Sequence, residues 1–448
     1  MTKLAIRNII LTWLAWLLIV IGFQALATAR LQPQWPDKAQ QWTQDFTVPA
    51  TYQKGHPYLL ETFMNNQVSW DSEYYLGIAV GGYDDPCVPA VNAHLQGAPV
   101  RCTDETIAPN LWNGTTISLS YAFFPFYPLM IHLFAIPLGL LKLNAIASAT
   151  LAGVIVSALG TLAAMLALYD LTRESLGEEG GMRAVFYLLI FPTGFFLVQI
   201  YTEGLFVGLA FACLAMLKRK HLVYAALLAM AATWTRAVGI ALIIPMAITW
   251  IRTDEWMSLD QEWGQLFFRR IPLRPLWHAL LAFAPLFAFL IWRFSYLGFA
   301  FDFVESNYFG RVLLDFGTSF STWSRAFVEM AAGLLNTKGP PAQQWFVNPE
   351  HSAYYLTEFL GLGVALVAIL RCLKSDPEVA WFSLAVFLIS WGSGGAQGIH
   401  RYVLAAPAVF IALARWGRNP VFDRAWTLLS ALLMGLLAML FAFNFWVA

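Results

Sequence analysis

Charge is what this sequence has least of. Only 12% of its 448 residues are Asp, Glu, Lys or Arg, against about 25% in soluble domains. That shortage excludes a soluble globular fold of this length. The charges present cancel, with 27 basic and 27 acidic residues. No basic field exists to attract nucleic acid, so no nucleic-acid partner is expected. Cysteine is scarce as well: four residues, none at metal-ligand spacing. Cys213 and Cys372 lie inside apolar runs and read as buried small hydrophobes. Cys87 and Cys102 share one polar segment and can pair if that segment faces an oxidising compartment. Low-complexity segments, an obvious internal repeat and a separate soluble domain are all missing.

Apolar and aromatic residues fill the space: 59% hydrophobic and 16% aromatic, with a mean hydropathy of +0.60. Apolar runs recur at 9–27, 146–169, 276–292, 352–370, 379–391, 401–414 and 426–446. The first follows Lys3 and Arg7. At about 20 residues it has the length of a span, longer than a signal-peptide core, so an uncleaved first helix is expected. Two longer stretches, 184–217 and 222–251, are interrupted. Pro192, Gly194, Glu203 and Gly204 break one, and Arg236 sits near the middle of the other. Each is too long for one span and too polar at its centre. Each therefore reads as two short helices meeting at a polar tip. The expected fold is an all-α polytopic membrane protein, one membrane-embedded domain over 1–448.

Basic residues orient such a chain. If 118–140 does not fully cross and both interrupted stretches are hairpins, one cytoplasmic side collects Lys3, Arg7 and the later clusters. Those clusters include Arg173, Arg183, Lys218–Lys220, Arg252, Arg269–Arg274, Arg371, Lys374 and Arg415–Arg424. Two outer loops follow, 28–117 and 293–351, and a cytoplasmic connector, 252–275.

Five segments carry chemistry. The first runs from Val68 through Trp70, Asp71, Tyr74 and Tyr75 to Tyr83. Trp70, Tyr74 and Ile78 are spaced for one face of a short interfacial helix, with Asp71 and Tyr75 on the next face. Asp71 then has two readings: an N-cap, or a carboxylate held beside aromatic rings. The second is Phe123-Phe124-Pro125-Phe126-Tyr127-Pro128-Leu129, where proline stops any preceding helix. Phe191–Phe196 with Tyr201-Thr202-Glu203, Thr235-Arg236, and His400-Arg401-Tyr402 complete the set. Singly, each charge reads as snorkelling or structurally paired. Under the topology above, Asp71, Glu203, Arg236, His400 and Arg401 all fall at one membrane face. A carboxylate beside Arg and His suits a base working next to a bound phosphate, whose oxygens arginine grips bidentately.

Taken in order, WDSEYYLGIAVGGY, FFPFYPL, FPTGFF with YTEGLF, TRAVG and HRY resemble the family of the GPI-anchor second mannosyltransferase (the PIG-V family) and its prokaryotic relatives, within the GT-C glycosyltransferases. The resemblance covers most of the chain, and the first two segments are its most specific part. Two departures stand out. Ser72-Glu73-Tyr74-Tyr75 follows the aspartate where the family usually has a histidine, and the segment with Cys87 and Cys102 separates Tyr83 from FFPFYPL. The resemblance implies a GT-C-type helical bundle with long non-cytoplasmic loops, the first of them carrying the catalytic carboxylate. It implies a polyprenyl- or dolichyl-phosphate sugar as donor, with mannose as the sugar. It places the active face outside, at the plasma membrane in a bacterium.

On that reading Asp71 is the general base of an inverting transfer. Arg236, His400 and Arg401 stabilise the leaving phosphate, Glu203 orients the sugar or an arginine, and Trp70 and Tyr75 line the substrate site. No metal or other cofactor is expected. The acceptor is a glycolipid, glycan or protein hydroxyl. The rival readings are a membrane transporter or lipid flippase, and a subunit that kept the fold without the chemistry. Asn113-Gly114-Thr115 is a glycosylation acceptor pattern in a eukaryotic host.

Overall fold

The computed structural model describes residues 1–31, 66–84, 90–92, 99–100, 116–253, 273–312, 314–334, 349–443 and 445–447. Cys87, Cys102 and Asn113 lie outside the described residues. The described chain is mostly helical, with one small antiparallel sheet. Helix α1 is Lys3–Arg30 and α2 is Asp71–Gly81. Strands β1 (Ala90–Asn92), β2 (Pro99–Val100) and β3 (Thr116–Ser118) pair in the order β2-β1-β3, with Val91 opposite both Pro99 and Ile117. Helices α3 (Phe126–Leu138), α4 (Ala145–Ile190), α5 (Thr202–Lys218), α6 (Leu222–Thr235) and α7 (Ile243–Thr253) follow. Then come α8 (Leu273–Ala282), α9 (Ala284–Arg293), α10 (Tyr296–Val304), α11 (Phe316–Leu334) and α12 (Pro349–Cys372). The chain ends with α13 (Pro377–Trp391), the short α14 (Ile399–Tyr402), α15 (Pro407–Trp416) and α16 (Pro420–Ala442).

Among the described residues, four helices are long and apolar enough to cross a membrane: Lys3–Arg30, Ala145–Ile190, Ser352–Cys372 and Pro420–Ala442. A fifth span exists if α9 and the helix that follows it, bent by 74°, count as one. The protein is therefore an integral membrane protein of several spans. Helix α4 is two helices joined at Gly177, whose φ of 74° is left-handed and suits glycine.

Both interrupted stretches break where the sequence suggested. The chain leaves helix at Phe191 and re-enters at Thr202, and it turns extended at Arg236 (φ −152°, ψ 140°) between α6 and α7. Helix α3, with 13 residues, reaches about 20 Å, short of a bilayer core of about 30 Å. The apolar run 401–414 is divided, because Val403–Ala405 tightens to a 3-10 turn before Pro407 starts α15. The segment 293–351 carries α10 and α11.

Helix association in lipid depends on close packing, because lipid tails are as apolar as leucine. The α4–α5 crossing shows how this is done. A Cβ on Gly160 would fall 2.4 Å from the Gly204 carbonyl oxygen, and one on Gly208 would fall 2.3 Å from the Gly160 oxygen. Gly204 and Gly208 form a small-xxx-small pair that lets the backbones touch. This crossing carries Glu203 into the protein interior.

At the far end of α5 the basic residues gather. Lys218 pairs with Glu174 at 2.9 Å, and Arg219 with Asp170 at 2.9 Å. Arg183 donates to the Ala414 carbonyl at 3.3 Å, Arg415 pairs with Asp376 at 2.6 Å, and Arg252 pairs with Glu378 at 2.6 Å. These bonds pair several of the expected cytoplasmic clusters with neighbouring groups, and Lys218 lies about 22 Å from Glu203 along α5.

Candidate functional site

The site begins with a strained residue. Trp70 has φ 55° and ψ −115°, a conformation costly for a bulky side chain. Its indole Nε1 donates to the Phe445 carbonyl at 3.2 Å, and its ring meets Trp446 edge-on at 4.7 Å. These contacts hold the turn that starts α2. Asp71 is the first helical residue, and Trp70 occupies the cap position with no side-chain cap bond. The N-cap reading of Asp71 is therefore replaced. Its backbone N–H donates to the Tyr201 hydroxyl at 3.3 Å, and that hydroxyl donates to the Ser69 carbonyl at 3.1 Å. The carboxylate is thereby left facing Arg401, with Oδ2 3.5 Å from Nη2.

Helix α2 is packed inside the protein on all its faces. Ser72 to Ala79 are all buried, because the second motif packs onto it. Phe123 stacks on Tyr74 at 4.6 Å, and Tyr75 meets Phe123 and Tyr127 edge-on at 5.1 and 5.2 Å. Tyr127 is anchored through its hydroxyl to Ser157 Oγ at 2.8 Å. Just past α2, burial pushes the Tyr83 and Tyr121 phenols up, and the Asp84 carboxylate bonded to Tyr121 at 2.8 Å adds to the effect there.

The remaining motifs converge on Glu203. Its carboxylate, 2% exposed, forms ion pairs with Arg236 and with Arg401, whose Nε lies 3.0 Å from Oε1. Arg236 lies 4.1 Å from the centre of the Tyr402 ring. Arg401 lies 4.9 Å from the Tyr201 ring and 5.3 Å from the Phe196 ring, each contact contributing about 0.5–2 kcal/mol. Residues from all five motif regions thus meet at one point: Asp71, Phe123 beside it through Tyr75, Glu203, Arg236 and Arg401.

His400 is placed differently. It is 3% exposed and faces Glu358 of α12, with Nδ1 2.8 Å from Oε2. Glu358, fully buried, also accepts from the His400 N–H at 2.8 Å, the Gly398 N–H at 2.6 Å and the Tyr354 hydroxyl at 2.5 Å. Glu358 was not singled out from the sequence. It anchors the glycine-rich segment 392–398 and, through it, the stretch that carries Arg401.

A cavity of about 1500 Å³ opens in front of these groups. Trp70, Asp71, Tyr75, Arg236, Arg401 and Tyr402 line one part of it. Phe124, Phe289, Trp292 and Phe301 form an aromatic wall, with Phe124 stacked on Trp292 at 4.2 Å. Glu305, Arg311, Arg325 and Glu329 add charge from the 293–351 region. Glu203 and His400 stand behind the cavity wall. Among the described residues, no three His, Cys, Asp or Glu side chains come together to hold a metal ion. The arrangement can take a proton at Asp71 and hold an anion near guanidinium groups, beside an apolar surface.

The sequence matches no protein-family model and no curated protein. Solved structures with a similar chain path include the oligosaccharyltransferase AglB from Archaeoglobus fulgidus in complex with an inhibitory peptide and a dolichol-phosphate. That likeness has 13% identity and a TM-score of 0.42, over 97% of this chain and 56% of that one. ArnT from Cupriavidus metallidurans bound to undecaprenyl phosphate is similar at 14% identity and a TM-score of 0.39, over 72% and 61%. The Archaeoglobus fulgidus oligosaccharyltransferase complex with Zn and sulfate is similar at 16% identity and a TM-score of 0.38, over 71% and 44%. The chain spans roughly half the length of these structures and is only loosely similar to them. Fold and site together define a multi-span helical membrane protein with a buried carboxylate–arginine cluster opening on a large cavity.

Proposed function

We propose that this protein is a GT-C-type glycosyltransferase. It moves a sugar from a polyprenyl- or dolichyl-phosphate donor to an acceptor hydroxyl at the non-cytoplasmic face. One observation carries the reading: the Asp71 carboxylate, 29% exposed, lines a cavity of about 1500 Å³ and stands 3.5 Å from Arg401. A partly exposed carboxylate with a neighbouring guanidinium fits proton removal beside a leaving phosphate.

The step balances. The acceptor hydroxyl oxygen attacks the anomeric carbon from the side opposite the phosphate, and its proton passes to Asp71. The new carbon–oxygen bond forms as the bond to the phosphate oxygen breaks. The phosphate departs with the electron pair, and the anomeric centre inverts. Arg401, oriented by Glu203 and two aromatic faces, stands beside the Asp71 carboxylate. Tyr75 and Trp70 shape the cavity floor, and the aromatic wall accepts the isoprenoid chain. Mannose is the sugar favoured by the resemblance of the sequence motifs. The acceptor is a hydroxyl of a glycolipid, glycan or protein.

The test is transfer of radiolabel from polyprenyl-phosphate-mannose into the lipid, polymer and protein fractions of membranes that make this chain. Membranes without it are the control, and polyprenyl-phosphate-glucose is a second donor. Label that depends on the chain supports a transferase, and its donor preference reads the sugar. Counterflow of unlabelled lipid across sealed vesicles, with no transfer, would favour a flippase instead.

A further inference from the structure

Arg236, Arg401, Glu203 and Asp71 hold two positive and two negative charges between them. As a unit the cluster is neutral: each guanidinium is ion-paired within it, and it offers a phosphate no net positive charge. Three further arginines line the same cavity, of which Arg293 pairs with Asp302 and Arg325 is exposed. The third, Arg311, is half-buried. Tyr402, the ring beneath Arg236, is within electrostatic reach of Arg311 as well as of Arg236 and Arg401. Unlike Arg236 and Arg401, the Arg311 guanidinium has no ion pair or hydrogen bond with any described residue; Glu305 and Tyr402 are its electrostatic neighbours.

Arg311 is nonetheless held in place. Its backbone N–H donates to the Glu305 carbonyl at 3.0 Å, closing the π turn Glu305–Phe309, and Gly310 follows that turn in the left-handed region (φ 62°). The side chain lies along the glycine-rich segment. A Cβ at Gly395 would sit 3.6 Å from Arg311 Nε, and neighbouring Gly394 donates its N–H to Ser319 Oγ at 2.9 Å. A positioned guanidinium with unused donors, in a cavity with an aromatic wall, matches a phosphate carried on an apolar chain.

We propose that Arg311 is the guanidinium that receives the phosphate of a polyprenyl-phosphate ligand. This rests on the transferase reading, and its test reads binding rather than transfer. Native mass spectrometry of the purified full chain in detergent compares undecaprenyl monophosphate with undecaprenol. Wild type is expected to prefer the phosphate by about tenfold or more, the scale of a charge-assisted contact. Arg311→Gln brings the two ligands within about twofold, while Arg311→Lys, which keeps the charge but loses the fork, falls between. Arg252→Gln, at a residue that pairs with Glu378 and does not line the cavity, matches wild type.

A second arm needs no variant. Phenylglyoxal labelling of Arg311, mapped by peptide mass, is blocked by undecaprenyl monophosphate and not by undecaprenol. An unchanged preference in Arg311→Gln, or labelling that the lipid phosphate does not block, overturns the assignment and leaves the transferase reading standing. No preference in wild type overturns both. Displacement of the lipid by inorganic phosphate at comparable concentration makes this a free-anion site and overturns the lipid assignment.

Discussion

The Asp71 carboxylate and the Arg401 guanidinium meet at 3.5 Å across 330 residues of sequence. Neither is placed by its own helix alone. Trp70, in a strained conformation, aims Asp71, and Glu203 aims Arg401. The contact therefore depends on several distant segments, and each can be tested separately.

Glu203 is the keystone of the charge cluster. Glu203→Leu leaves Arg236 and Arg401 buried without their shared carboxylate, at a cost of about 3–5 kcal/mol. Thermal unfolding of the detergent-solubilised protein should show a large drop in midpoint. Glu203→Gln, which keeps an acceptor oxygen, should fall less far. Equal stability of Glu203→Leu and wild type would mean that the arginines find other partners.

The Tyr201 hydroxyl joins the Asp71 N–H to the Ser69 carbonyl. Tyr201→Phe keeps the ring under Arg401 but removes both bonds. The expected loss is about 1–3 kcal/mol of stability, with a fall in transfer rate greater than any change in donor KM. A variant that raises KM alone would show that Tyr201 binds donor and does not position Asp71.

Several of the principal site residues were legible in the sequence for a physical reason. Glu203 and Arg236 interrupt apolar stretches, and an ionisable group in such a stretch needs a partner or a function. Asp71 and Arg401 stand beside aromatic motifs that pack onto one another. Glu358 was legible by the same rule, since it lies within the run 352–370, but no surrounding motif marked it. Gln24 is a similar case. Buried in the first helix, its amide oxygen accepts from Gln67 at 3.1 Å and Gln199 at 3.2 Å, and its Nε2 donates to the Ala438 carbonyl at 3.2 Å. Such networks depend on residues far apart in sequence, so spacing does not reveal them. Nor does spacing reveal the φ of Trp70 or the turn of His400 away from the cavity. The small sheet arises from pairing within a polar loop that has no hydrophobic period.

Glu358 gathers three donors, the Tyr354 hydroxyl and the Gly398 and His400 N–H groups, and the His400 ring faces it at 2.8 Å. Glu358→Leu strands them, at about 1–3 kcal/mol for each buried donor left unmet. The glycine-rich segment should then loosen, which limited proteolysis reads as faster cleavage between 392 and 398. Glu358→Gln should restore much of the protection. Unchanged cleavage in Glu358→Leu would show that other contacts hold the segment.

The crossing of α4 and α5 admits no added carbon at Gly208. Gly208→Val should separate the helices, displace Glu203 and reduce folded yield sharply, as overpacking costs about 1–3 kcal/mol or more. Fluorescence-detected size exclusion checks this directly. A normal monodisperse profile would mean that the crossing yields without cost.

The central claim is that Asp71 takes the acceptor's proton. The most direct measurement compares transfer of labelled sugar from a polyprenyl-phosphate donor by wild type and by Asp71→Asn at equal expression, with undecaprenyl monophosphate binding recorded for both. The account predicts transfer reduced about 100-fold or more with lipid-phosphate binding retained. Transfer by Asp71→Asn at the wild-type rate would contradict it.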